Sequence, residues 1–196
     1  MFSNEQLQTI IDGKSVGDQF PYNTNNEQEI EAHIRRLFHR VERIPNLIVE
    51  AEWDNFGSGY ASFVEFFCYQ KENVVVVDEK NGERELEVDG IIIDICRLAP
   101  VVIIGEDKRF KTIDIATNEE IAGVHGSLLD GLQRLNLSRK FQGLDRLLKQ
   151  ALEEFGYEKL DEDIMKQPLP FKAKISTTYT ESQAYKVMDA LFYWED

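Results

Sequence analysis

The sequence predicts a single α+β domain over residues 1–196, built on an antiparallel-rich mixed sheet of five to seven strands. Apolar residues recur at helical spacing before residue 45 and after residue 120, whereas the stretch between them is a succession of strand-like runs. Asn81-Gly82, inside that stretch, is the strongest short hairpin signal. With 196 residues, 42% of them hydrophobic, the chain suits one domain with an ordinary core. We expect helices at the N-terminal end and a C-terminal helical region.

Two helices are predicted ahead of the sheet. The first begins at Ser3, whose spacing to Gln6 is that of a capping box. The second begins at Asn26, a favourable cap, and ends near Ile44 because Pro45 disfavours continuation. Its apolar stripe consists of Ile30, Ile34, Leu37, Phe38 and Val41.

The strands differ in how far apolar residues alternate along them. Residues 47–53 alternate, which predicts a half-buried strand, whereas residues 60–70 are apolar on both faces, which predicts a central one. A turn is predicted at Glu106-Asp107. The remaining predicted strands are 73–79 and 84–89, which form the hairpin, followed by 91–96, 101–104 and 110–115.

Helical spacing returns in the last third of the chain. Ser127 and then Ser138 are predicted to cap helices, and Gly156 ends the second of them. Residues 171–177 alternate weakly and predict a strand, and a capping box at Thr180 opens a last helix. The helix after Ser138 is expected to bury Phe141, Leu144, Leu147, Leu148, Leu152 and Phe155.

Cysteine usage and the chain start indicate a cytoplasmic protein. Cys68 and Cys96 are the only two cysteines, and both sit in apolar strand-like runs. We expect buried reduced thiols rather than a disulfide. Met1 is not followed by a secretory pattern, and no apolar run approaches the roughly 18–20 residues that span a bilayer. We therefore expect no association with membranes.

Motifs for the common catalytic chemistries are missing from the sequence. It contains no nucleophile elbow, Walker A loop, dinucleotide fingerprint, zinc-protease motif or EF-hand loop. Of three histidines, His125 is the most suggestive, because it lies in a small-residue loop whose backbone amides could hold an anion. We expect a non-catalytic protein without a cofactor.

Charge indicates what kind of partner the chain binds. The 36 acidic residues exceed the 22 basic ones, so the net charge is −14, which disfavours nucleic acid as a partner. Residues 51–100 alone carry eleven acidic and four basic side chains. Glu85, Glu87 and Asp89 project from one face of a strand, and Asp78 and Glu79 precede the hairpin turn. We predict that these five residues bind a basic protein partner.

In size, acidity and α+β character the chain is similar to bacterial immunity proteins, which neutralise toxin nucleases. The similarity is one of class and rests on no specific motif. It implies a non-catalytic, immunity-like or inhibitor-like role in a bacterial cytoplasm. A DNA-mimicking inhibitor would share the same features.

Two alternatives remain open at this point. Glu50 and Glu52 share one face of a strand, and Asp94 interrupts a run of isoleucines. If the strands that carry these carboxylates were neighbours, they could hold Mg²⁺ in a metal-dependent hydrolase. The other alternative is a structural or regulatory homodimer, joined through an exposed strand edge or through the aromatic C-terminal helix.

Overall fold

A seven-stranded, mostly antiparallel sheet organises the chain, which confirms the predicted α+β class. The structure is a computed structural model that describes residues 2–177 and 185–195. Its helices are α1 (Asn4–Ile11), α2 (Glu27–Val41), α3 (Gln142–Glu154), α4 (Glu162–Met165) and α5 (Val187–Leu191). None of the helices in these ranges is long and apolar enough to cross a membrane.

The main sheet has the order β1-β3-β5-β6-β7, with β4 also paired to β5 and β8 to β6. A separate two-stranded sheet joins β2 to β9 near the C-terminus. The strands are β1 (Leu47–Glu52), β2 (Tyr60–Ala61), β3 (Phe63–Gln70), β4 (Val74–Lys80), β5 (Glu83–Cys96), β6 (Val101–Asp114), β7 (Glu120–Val124), β8 (Glu158–Lys159) and β9 (Trp194–Glu195).

A long ribbon of β5 and β6 forms the backbone of the sheet. Each strand has 14 residues, and they pair from Glu83 opposite Asp114 to Ile95 opposite Val102. The predicted turn at Glu106-Asp107 is therefore wrong, as is the predicted break in β5. Both acidic residues stay in the strand because they have partners there: Arg134 binds the Asp107 carboxylate, and the Ser138 amide donates to Glu106.

Helices pack on both faces of this sheet, while its far end is mostly exposed. On one side, Phe67, Ile92 and Ile103 pack with buried residues of α1 and α5, and we call this side the α1/α5 face. On the other side, Phe66 and Ile93 pack with α2 and α3, and we call it the α2/α3 face. At the far end of the ribbon, β4 and β7 are mostly exposed, so we call β4, β7 and the parts of β5 and β6 paired with them the distal half.

Local signals fixed several boundaries correctly. The Asn26 side chain accepts hydrogen bonds from the Gln28 and Glu29 amides, as its role as a cap predicts. Asn81 and Gly82 both have positive φ, 55° and 83°, which is the turn that a two-residue hairpin favours. The cysteines are free and buried, as expected.

Other local predictions are wrong, mostly toward the C-terminus. Residues 128–135 form short 3-10 turns instead of a helix, and residues 171–177 form no strand. Leu147 is exposed rather than buried. The helix α2 ends at Val41, three residues early, and strands β7 and β8 were not predicted. The capping box at Thr180 lies outside the described residues.

Candidate functional site

The predicted acidic row lies on the α2/α3 face of the distal half. Glu85, Glu87 and Asp89 stand opposite Thr112, Phe110 and Lys108 of β6. Since residues directly opposite each other in an antiparallel pair share a face, the three carboxylates form one line along β5. Their side chains keep 50%, 29% and 30% of their surface exposed.

The other two residues predicted to bind the partner, Asp78 and Glu79, lie on opposite faces of the sheet. Asp78 lies opposite Glu85 and so joins the acidic row, whereas Glu79 lies opposite Arg84 on the other face. A register shift between Val76 and Asp78 produces this arrangement. Glu79 is occupied there by an ion pair with Arg84, at 2.9 Å.

Cations of the chain itself accompany the acidic row. Lys108 pairs with Glu87, Lys140 lies 2.9 Å from Asp89, and Lys80 lies 2.6 Å from Asp78. The hydrogen bond from Lys80 lowers the pKa of Asp78. Exposed ion pairs of this kind add little stability and are screened by salt, so a partner's cations can replace them.

Apolar side chains surround this row, which the sequence reasoning did not foresee. Val75, Val77, Phe110 and Val124 keep 56%, 57%, 47% and 69% of their surface exposed. Val75 is opposite Glu87 and Val124 is opposite Phe110, which places them on the same face as the acids. Val77, Phe110 and Val124 line a shallow depression of about 180 Å³. We call these four residues, with Asp78, Glu85, Glu87 and Asp89, the distal face.

The candidate metal ligands lie on the α1/α5 face, and two of them, Glu50 and Glu52, already have other partners. Glu50 binds Lys111 at 2.5 Å and accepts the Tyr69 hydroxyl at 2.9 Å. Glu52 accepts the backbone amides of residues 54 and 56. In residues 2–177 and 185–195, no three His, Cys, Asp or Glu side chains form a group that could hold a metal ion. The metal alternative built on Asp94, Glu50 and Glu52 stays a prediction.

Strand β3 lies between β1 and β5 and carries an acid that sequence reasoning missed. Glu65 stands opposite Glu52 on one side and Asp94 on the other. The three carboxylates therefore form a row across the sheet, on the face opposite to Glu85 and its neighbours. The signal was the same as for Asp94, a lone charge in an apolar run, here Phe63-Val64-Glu65-Phe66-Phe67.

Glu65 and Asp94 are both buried, with different surroundings. Arg109 donates to Glu65 Oε1 at 2.5 Å, and its guanidinium lies 3.9 Å from the centre of the Phe67 ring. Glu65 Oε2 and both oxygens of Asp94 lack a hydrogen-bond partner among the described residues. Burial raises the pKa of Glu65, and burial together with the nearby Glu65 raises that of Asp94 well above its usual range.

The His125 loop holds an anion, and that anion belongs to the chain. The Gly126 amide donates to the Asp107 carboxylate at 3.2 Å, and Arg134 binds the same carboxylate at 3.0 Å. The expectation that this loop's amides can hold an anion is met by an internal partner. His125 itself is exposed beside this contact.

A pocket opens between this loop and the C-terminal strand. Its volume is about 290 Å³. Aromatic rings and acids form most of the wall that the described residues provide, and Glu65 is the buried charged residue among these. The lining residues are Phe56, Phe63, Glu65, His125, Gly126, Ser127, Asp130 and Trp194.

Comparison of the chain with protein-family models, with curated proteins and with solved structures finds no match.

Proposed function

We propose that the protein is a non-catalytic binding module that engages a basic protein partner through its distal face. The observation that carries the proposal is the mixture of side chains there: four half-exposed apolar residues beside a line of four carboxylates. Protein interfaces combine an apolar centre with a polar or charged rim in this way. An acidic rim selects a basic partner and speeds its approach.

An immunity-like or inhibitor-like role is the form of this function that we favour, because the size, acidity and fold class suit it. The partner would then be a basic nuclease toxin, whose nucleic-acid-binding surface is positively charged. Cys68 and Cys96 are free and buried, which supports a reducing compartment, and we propose the cytoplasm of a bacterium.

The test first identifies the partner and then measures how much the distal face contributes to its affinity. The protein captures its partner from extract of the source cell, and calorimetry follows binding of the purified pair. Reversal of Glu85, Glu87 and Asp89 to lysine should weaken binding at least about a hundredfold, because like charges then meet. Raising the salt from about 50 to about 300 mM should weaken the unmodified pair about tenfold.

A matched variant distinguishes the effect of charge on the distal face from the effect of the net charge of the protein. Asp18, Glu153 and Asp163 are exposed acids elsewhere on the chain, so their reversal to lysine changes the net charge equally and should leave affinity within about twofold. A Val77→Ser, Val124→Ser double variant should mainly speed dissociation, because it removes apolar contact.

Three outcomes contradict the proposal. One is a captured partner that is acidic, and another is an affinity that the three reversals at Glu85, Glu87 and Asp89 leave unchanged. The third is a homodimer of the free protein that the same reversals break, which would assign the distal face to a second copy of this chain. Sedimentation at several concentrations detects that homodimer.

A further inference from the structure

We propose that the pocket on the α1/α5 face binds a small organic cation, a protonated amine or guanidinium on an apolar stem. We call it the Glu65 pocket. It lies across the sheet from the distal face, so this inference does not depend on the proposed partner. Three features of its walls carry the argument: a half-satisfied buried carboxylate, an aromatic lining, and an excess of negative charge.

The carboxylate of Glu65 supplies the recognition group. The residue is 3% exposed and lines the pocket. Arg109 occupies its Oε1, while Oε2 has no partner in residues 2–177 or 185–195. A buried carboxylate oxygen in this state is costly, and an N–H donor from a cation satisfies it with a charge-assisted hydrogen bond.

Aromatic rings supply the rest of the wall. Phe56, Phe63 and Trp194 line the pocket, and the rings of Phe56 and Trp194 are 5.0 Å apart. The indole N–H of Trp194 donates to the Asn55 carbonyl at 3.2 Å and to Ser58. The indole therefore contributes π surface to a ligand rather than its polar hydrogen. Such surfaces attract cations and also accommodate an apolar stem.

The local charge favours a cation over an anion. The carboxylates of Glu65, Asp107 and Asp130 outnumber the guanidiniums of Arg109 and Arg134 that pair with them. Of these acids, Glu65 and Asp130 line the pocket directly, whereas neither arginine does. Among the described residues that line the pocket, an anionic ligand would therefore meet two carboxylates and no arginine or lysine.

The shape limits the size of the ligand. A volume of about 290 Å³ is at the lower end of the range for small-molecule sites. Glu65 offers one free acceptor atom, which matches one N–H donor of a primary ammonium or guanidinium. The class that fits is a short alkylamine or alkylguanidine, or a metabolite that carries one of these groups.

Tryptophan fluorescence gives a direct test, because the chain has only two tryptophans. In a Trp53→Phe background, Trp194 is the single reporter and sits in the pocket wall. Butylguanidinium should produce a saturable change, and 1-butanol of similar shape should produce none at equal concentration. Glu65→Gln should lower the affinity at least about tenfold, since it removes the charge that holds the cation.

A second variant covers the case in which Glu65→Gln fails to fold by circular dichroism. His125 is exposed at the pocket, so His125→Arg adds a positive charge without disturbing the core and should weaken binding about threefold or more. His39→Arg makes the same change at an exposed position of α2 and should leave affinity within about twofold.

Several results would overturn the inference. Absence of a saturable response up to about 10 mM butylguanidinium is one. An equal response to 1-butanol is another, because it would reduce the pocket to an apolar site. Retention of full affinity in His125→Arg, or in a folded Glu65→Gln, would remove the role of charge.

Discussion

Glu65 and Asp94 lie directly opposite each other on β3 and β5, buried on the same face, with no hydrogen bond between their carboxyl groups. Two carboxylates in this position cannot both ionise cheaply. Arg109 favours the charged form of Glu65. Asp94 has no partner among the described residues, and burial together with the nearby Glu65 raises its pKa, so the folded chain favours its protonated form more than the unfolded chain does. The pair therefore links folding stability to pH.

Asp94→Asn should remove much of this dependence. A raised pKa in the folded state means that the stability contribution is present below the unfolded pKa of about 3.9 and is lost as pH rises. We expect the unmodified protein to lose stability as pH rises from about 4 toward the raised folded pKa of Asp94. At pH 8 the variant should be more stable by about 1–3 kcal/mol in urea unfolding, and near pH 4 the two should agree.

Asp18→Asn, at an exposed position, serves as the control and should leave the pH profile unchanged. Some pH dependence should persist in Asp94→Asn, because burial also raises the pKa of Glu65. If Asp94→Asn instead destabilised the protein at pH 8, the ionised Asp94 carboxylate would be making a favourable interaction in the fold, which would contradict this prediction.

Gly90 should not tolerate even a methyl group. A Cβ built there lies 2.5 Å from the Phe67 ring and 2.9 Å from the Cys68 carbonyl oxygen. The ring cannot withdraw easily, because the Arg109 guanidinium lies over it. Gly90→Ala should therefore destabilise the protein by about 1–3 kcal/mol in urea unfolding.

The matched substitution is Gly143→Ala, in α3. Nothing lies within 4 Å of a Cβ at that position, and alanine is the better helix former. We expect this variant to gain about 0.5–1 kcal/mol. If Gly90→Ala and Gly143→Ala changed the free energy of unfolding equally, the close contact between residue 90 and the Phe67 ring would be contradicted.

Tyr22 and Tyr157 form a buried hydroxyl pair that should respond asymmetrically to mutation. Tyr22 donates to the Cys96 carbonyl at 2.8 Å, and the two hydroxyl oxygens lie 3.0 Å apart. Because Tyr22 has one proton to donate, Tyr157 must be the donor within the pair. Tyr22→Phe leaves both a donor and a carbonyl unpaired, so it should cost about 1–3 kcal/mol.

Tyr157→Phe should cost less, about 0.5–1.5 kcal/mol, because it leaves no buried donor without an acceptor. Thermal or urea unfolding of both single variants and the double variant measures the coupling. A larger loss for Tyr157→Phe than for Tyr22→Phe would reverse the assigned direction of the bond.

The two thiols should be inert in the folded protein. Burial raises the pKa of Cys96 to about 12 and that of Cys68 further, so neither is a thiolate at pH 8. Iodoacetamide at pH 8 should leave the native protein unmodified over hours, whereas the protein unfolded in guanidinium should take up two labels, as mass spectrometry would show. Rapid native labelling at either cysteine would indicate local opening of the sheet.

Local sequence patterns predicted the individual helices and strands far better than the way in which the strands pair in the sheet. Alternation correctly placed Glu50 and Glu52 on one face of β1, and the positive-φ turn at Asn81-Gly82 fixed the hairpin. Alternation cannot say which faces of different strands coincide. Only the register shows that the β1 glutamates share a face with Asp94 and oppose the row that contains Glu87.

The Glu65 pocket was beyond reach of the sequence for a similar reason. Phe56 comes from a turn after β1, His125 from a loop after β7, and Trp194 from the last strand. No local periodicity relates positions so distant in sequence. Of the distal apolar residues, Val124 was missed because β7, the five-residue segment Glu120–Val124, contains alanine and glycine, which weaken the strand signal. Val75, Val77 and Phe110 lie in predicted strands, but a strand pattern does not tell which face of the strand stays uncovered.

The continuity of β5 and β6 has a consequence for binding at the distal face. The same two 14-residue strands run from the buried core to the exposed end, so this end is an extension of the core rather than a loop. Its backbone is already ordered before any partner arrives. Association should then cost little conformational entropy. A disordered segment that buried the same area would have to become ordered on binding, so its affinity would be lower.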